Sequence, residues 1–94
     1  MFLGGWEVAN QLYFRAIEKY GPDMQQNVAI EEMSELTKEL CKNKRGEDNY
    51  LNIAEEIADV QIMLEQLILI HNIGPLVGAI KEKKLKRLEE RLSQ

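Results

Sequence analysis

The chain reads as an all-α protein: a compact antiparallel four-helix bundle-like subunit that assembles through its helices into a dimer or tetramer. Three observations lead there. Four segments rich in Ala, Leu, Glu, Lys and Gln, all good helix formers, are separated by Gly21-Pro22, by the polar run 43–49 and by Gly74-Pro75. Glycine and proline at such points stop one helix and start the next. Within the segments apolar residues recur at helical spacing, and no stretch alternates as a strand bounded by turns does.

The first helix is expected over about residues 6–20. Trp6, Tyr13 and Tyr20 fall broadly on one of its faces, a core pattern rather than a base-stacking platform. The second is expected over about 23–42, where Asp23 followed by Gln26 resembles a capping box. Ala29, Met33, Leu36 and Leu40 form its apolar stripe. The third spans about 50–71, capped by Asp48 or Asn49. Ile53, Ile57, Val60, Leu64, Leu67 and Ile68 make one stripe, and Leu51, Ala58, Ile62 and Leu69 make a second almost opposite. A helix apolar on two faces needs cover on both, and a chain this short has few elements to supply it. Assembly through the third helix is the simplest account. Short connections make successive helices antiparallel neighbours.

The fourth helix, about 75–92, is basic. Lys81, Lys83, Lys84, Lys86, Arg87 and Arg91 stand against Glu82, Glu89 and Glu90, a local net of +3 in a chain of net −4. Lys84, Arg87 and Arg91 lie on one stripe beside Leu85, Leu88 and Leu92. Two explanations stand: cations near a helix C-terminus on a solvated face, or side chains that grip polyphosphate oxygens.

Ninety-four residues allow one domain, over 1–94. Sixteen acidic residues against twelve basic ones argue against a nucleic-acid polymer as partner. One cysteine, Cys41, excludes an intrachain disulfide framework and a multi-cysteine zinc site, and a reduced, cytoplasmic setting is expected. Cys41 itself reads as a structural thiol. The N-terminus lacks the basic and apolar regions of a signal peptide. The most apolar stretch, 60–70, is interrupted by Gln61, Glu65 and Gln66 and reaches about half the roughly 20 residues of a membrane span.

The pattern with chemical content is acidic. Glu31-Glu32-Met33-Ser34-Glu35 lies in the second helix and Glu55-Glu56-Ile57-Ala58-Asp59 in the third. Acids three apart share a helix face. At about 100° per residue, Glu32 lies about 40° from Leu36 and Glu56 about 40° from Val60, at the edges of the expected stripes. Glu31 and Glu55 point outward. Antiparallel packing through those stripes brings Glu32, Glu35, Glu56 and Asp59 together. Four carboxylates at close quarters raise one another's pKa unless a cation neutralises them, and hard oxygen ligands suit Mg²⁺, with Mn²⁺ a possible substitute. Zinc lacks His or Cys ligands, and a di-iron bundle lacks Glu-x-x-His, since position 68 before His71 is isoleucine.

Glu32-x-x-Glu35 followed by Glu56-x-x-Asp59 resembles the signature of the MazG-type all-α nucleoside triphosphate pyrophosphohydrolases. Gln25, the runs around both acidic motifs and the basic stretch 84–92 extend the resemblance over about residues 20–92. It implies a Mg²⁺-dependent enzyme, a homodimer or homotetramer, that cleaves a nucleoside triphosphate to monophosphate and pyrophosphate. It implies Glu32, Glu35, Glu56 and Asp59 as metal ligands, and Lys84, Arg87, Arg91 and Gln25 as substrate contacts. Lys44 or Arg45 reaches phosphate only if the polar loop folds over the site. Glu35 is the carboxylate best placed to act as general base. The competing reading is a non-catalytic helical assembly or partner-binding module that uses the two-faced third helix.

Overall fold

The computed structural model describes residues 5–94, with side chains from Val8 onward; the expected core role of Trp6 lies outside the described side chains. The chain is an all-α four-helix bundle: α1 (Gly5–Tyr20), α2 (Pro22–Lys44), α3 (Tyr50–His71) and α4 (Gly74–Leu92). These bounds match the expected ones within two residues.

The helix ends have local causes. Pro22 opens α2 at its first turn, after Gly21 at φ +90°, a backbone that glycine adopts without steric cost. No side chain caps this end, so the expected Asp23–Gln26 capping box does not form; the main chain instead closes Gln25 N–H onto the Gly21 carbonyl at 3.1 Å. At the other end, Gly46 at φ +100° lets Glu47 N–H reach the Lys42 carbonyl and Gly46 N–H the Asn43 carbonyl, a Schellman motif. Helix α3 ends the same way around Asn72 at φ 53°, with Ile73 N–H on the Ile68 carbonyl. Asparagine tolerates this left-handed position better than other non-glycine residues.

The α2–α3 hairpin is the heart of the fold. Helix α1 packs across both, while α4 packs on α3 alone. The buried line of α2 runs through Gln25, Ala29 and Glu39, and that of α3 through Val60, Met63 and Gln66. This corrects the expected stripes in part: Ala29 and Val60 are buried and Leu36, Ile53, Leu67 and Ile68 half-buried, as expected. Met33, Leu40, Ile57 and Leu64 are exposed, because each helix is rotated so that the edge bearing its acids faces the partner. The second strip of α3 is mostly uncovered within one chain: Leu51 is 73% and Ile62 43% exposed and Ala58 is exposed, while Leu69 is half-buried.

No residue of α4 is fully buried, and Val77 is half-buried. The radius of gyration, 16.3 Å, exceeds the ~12 Å of a near-spherical chain this long. Accessible surface, 7695 Å², exceeds by about 2,000 Å² the area of a typical folded monomer of this mass.

Candidate metal centre

The site forms where α2 and α3 lie side by side. Carboxyl oxygens of Glu32, Glu56 and Asp59 all come within 4.8 Å of one another. Glu32 and Glu56 are half-buried and Asp59 is exposed. Spacing explains this grouping: half-buried Glu32 shares a line of α2 with Gln25 and Glu39, seven residues from each.

Electrostatics follow from the crowding. Burial, then the charges of Asp59 and Glu56, push the Glu32 carboxyl above the ordinary glutamate value. Burial, then the charges of Asp59, Glu35 and Glu39, push Glu56 up in the same way, offset in part by a hydrogen bond with Glu32. One oxygen of Glu56, Oε2, is buried without a hydrogen-bond partner. An acceptor left so is costly in an apolar setting. Hard oxygen donors with one unpartnered acceptor fit a hard divalent cation of the Mg²⁺ type.

The remaining expected site residues divide into two groups. Glu35 is exposed beside the three acids, outside their 4.8 Å group but near enough for its charge to act on Glu56. Glu31 and Glu55 are exposed, as expected. Gln25 is not open to a substrate: it is 7% exposed, and its Nε2 donates to Gln66 Oε1 at 2.8 Å. Lys84, Arg87 and Arg91 are exposed on α4, whose backbone comes close to α3 but, among the described residues, not to α1 or α2. Where α4 leaves α3, Lys81 lines an open cleft of about 550 Å³ with Tyr13, Ala58, Gln61, Ile62 and Glu65. At about 100° per residue, the centre of those α3 residues lies roughly 140° around the helix from the centre of Glu56 and Asp59, with Ile62 the nearest at about 60° from Asp59. Within one chain, the basic helix and the acids belong to different faces of α3. Lys44 and Arg45 are exposed at the end of α2.

Two buried polar residues of the seam, Glu39 and Asn49, have roles that the apolar and acidic patterns of the sequence did not signal. Glu39 is 7% exposed, ion-paired through Oε2 to Lys42 Nζ at 3.1 Å. Asn49, also 7% exposed, donates from Nδ2 to the Glu39 main-chain oxygen at 2.9 Å and to its Oε1 at 3.3 Å. Lys42 first, and Asn49 second, hold the Glu39 carboxyl below its ordinary value. Asn49 does precede α3, as expected, but its side chain ties the loop to α2 instead of capping α3. The signal that could have found Glu39 is its place seven residues after Glu32, as Glu32 is seven after Gln25.

The chain therefore holds a carboxylate cluster able to coordinate a divalent metal ion, on a fold without a helix long and apolar enough to cross a membrane among the described residues. Comparison with family models, with characterised proteins and with solved structures finds no match to this chain.

Proposed function

We propose that the protein is a metal-dependent nucleoside triphosphate pyrophosphohydrolase, with Glu32, Glu56 and Asp59 as the ligands of Mg²⁺ and Glu35 beside them. The observation that carries this reading is the half-buried three-acid cluster with its unpartnered Glu56 oxygen. Its resemblance to the MazG-type Glu-x-x-Glu/Glu-x-x-Asp signature supplies the substrate class. A divalent cation bound there supplies charge neutralisation for a triphosphate and Lewis acidity for hydrolysis. Glu35, exposed and free of hydrogen-bond partners among the described residues, is free to take a proton from an attacking water. Lys84, Arg87 and Arg91 are the cations proposed to meet phosphate oxygens. Because the backbone of α4 comes close to α3 alone and α4 has no fully buried residue, they are proposed to serve the acids of another copy in a homodimer or homotetramer. The exposed apolar residues Leu51 and Ile62 on α3, and Leu85, Leu88 and Leu92 on α4, support such an assembly. So does the surplus of accessible surface, since a standard interface takes about 800 Å² from each partner.

The test is pyrophosphate release from a panel of nucleoside triphosphates with and without Mg²⁺. The expected result is Mg²⁺-dependent release that falls by about 100-fold or more in Glu56→Ala and Asp59→Ala. Release that persists unchanged in those variants refutes the site. Its absence from every nucleotide tested leaves the assembly module as the function.

A further inference from the structure

Helices α2 and α3 meet in a repeating polar register. Gln25 Nε2 donates to Gln66 Oε1 at 2.8 Å. Seven residues further along α2 and seven back along α3, Glu32 stands against Asp59. Seven further and seven back again, Glu39 stands beside Asn52. Seven residues advance a helix by about 10.5 Å over two turns, so the three pairs form evenly spaced rungs on one seam. Ala29, Val60 and Met63 fill the space between them. The outer rungs differ from the middle one in kind. Gln25 is 7% and Gln66 4% exposed, and Gln66 Nε2 also meets Met63 Sδ at 3.7 Å. Glu39 is held by Lys42 and Asn49. The Gln25–Gln66 rung is satisfied and buried, and the buried Glu39 is satisfied although Asn52 beside it is exposed, whereas the middle rung sets two acids face to face.

We propose that the Gln25–Gln66 pair is a positioning pair that sets the rotation and approach of α2 and α3 at the acid cluster, two turns away. The proposal rests on the metal-centre reading for its consequence, though not for its geometry. The α2–α3 loop and the Glu39–Asn49 contact hold the hairpin at one end. Beyond Glu32 the helices are otherwise joined by apolar side chains and by one exposed hydrogen bond, from His71 Nε2 to Gln26 Oε1 at 2.6 Å; neither dictates one rotation, since apolar contact is non-directional and an exposed hydrogen bond exchanges with water. A buried amide pair does, because any other rotation leaves its donors and acceptors unpartnered. Buried polar residues on a helical seam have this register-setting use elsewhere.

The experiment compares the parent with Gln25→Leu/Gln66→Leu, which replaces both partners with apolar side chains of similar volume and so preserves folding. Mn²⁺ binding is measured by calorimetry. Separately, without metal, nitroxides at Glu31→Cys and Glu55→Cys in a Cys41→Ser background report the α2–α3 distance distribution. The expected result is unchanged helicity, a shifted or broadened distribution, and Mn²⁺ affinity weakened by about 10-fold or more, the usual cost of losing groups that orient metal ligands. Gln66→Glu, read at about pH 5 or below, where a buried carboxyl is protonated and still accepts from the Gln25 amide, keeps the parent distribution. Equal Mn²⁺ affinity in parent and double variant overturns the proposal. If the parent itself binds no Mn²⁺, the metal-centre reading fails, and the distance distribution alone decides whether the pair sets the seam.

Discussion

Replacing Glu32 by glutamine should make the metal-free protein more stable and abolish its response to metal. Glutamine keeps the shape of the side chain, removes one of the crowded charges and adds an amide donor for the carboxylate of Asp59. The three carboxyl groups have oxygens within 4.8 Å; at that separation two unit charges repel by about 0.9 kcal/mol in water and about 3.5 kcal/mol at an effective dielectric constant of about 20. Asp59 is exposed, so solvent screening selects the lower end, about 1 kcal/mol. In a domain of this size that raises Tm by roughly 4–8 °C. Divalent metal stabilises the parent by neutralising the same charges: Mn²⁺ at a hundred times its Kd stabilises the folded state by about 2.7 kcal/mol, or roughly 10–20 °C. Thermal unfolding of both proteins with and without MnCl₂ measures all four quantities. A Glu32→Gln protein less stable than the metal-free parent, or one whose Tm still climbs with Mn²⁺ as the parent's does, refutes the reasoning.

Three further outcomes follow from the same geometry. Glu32 and Glu56 both titrate above the ordinary glutamate value of 4.5, so between that value and their raised values the folded chain holds more protons than the unfolded one. Metal-free stability should therefore fall as pH rises through this window, while Mn²⁺ affinity rises; Glu39, held low by Lys42 and Asn49, works oppositely and loses its contribution below 4.5. Tm against pH with and without MnCl₂ checks the sign, and a metal-free Tm that climbs steadily from pH 5 to 7.5 contradicts it. Asn49→Ala strands the Glu39 carbonyl and carboxylate that it bonds at 2.9 and 3.3 Å, at a cost of about 1–3 kcal/mol. Urea unfolding should show a lower midpoint at an unchanged slope, and an unmoved midpoint places the anchor of the loop elsewhere. Finally, Leu85→Lys/Leu88→Lys puts charge on the exposed apolar row of α4; sedimentation velocity should show the parent as a dimer or tetramer and the variant as a monomer, and identical sedimentation of the two removes α4 from the interface.

The sequence by itself determined the helices. Their ends lie within two residues of the expected ones because the signals are local: glycine at positive φ, proline in a first turn, and side chains that favour helix. It also determined that Glu32, Glu56 and Asp59 would meet, since acids three apart share a face on each of two neighbouring helices. The tertiary structure decided how each helix is turned about its own axis. Hydrophobic spacing favoured Met33, Leu40, Ile57 and Leu64 for the seam, yet Gln25, Glu39, Met63 and Gln66 occupy it. Apolar burial is non-directional and tolerates several rotations, whereas the amides of Gln25 and Gln66 and the carboxylate of Glu39 bond in only one. Those partners lie 41 residues apart for Gln25 and Gln66 and ten for Glu39 and Asn49. Their spacing was visible in the chain; their pairing exists only once α2 and α3 fold against each other.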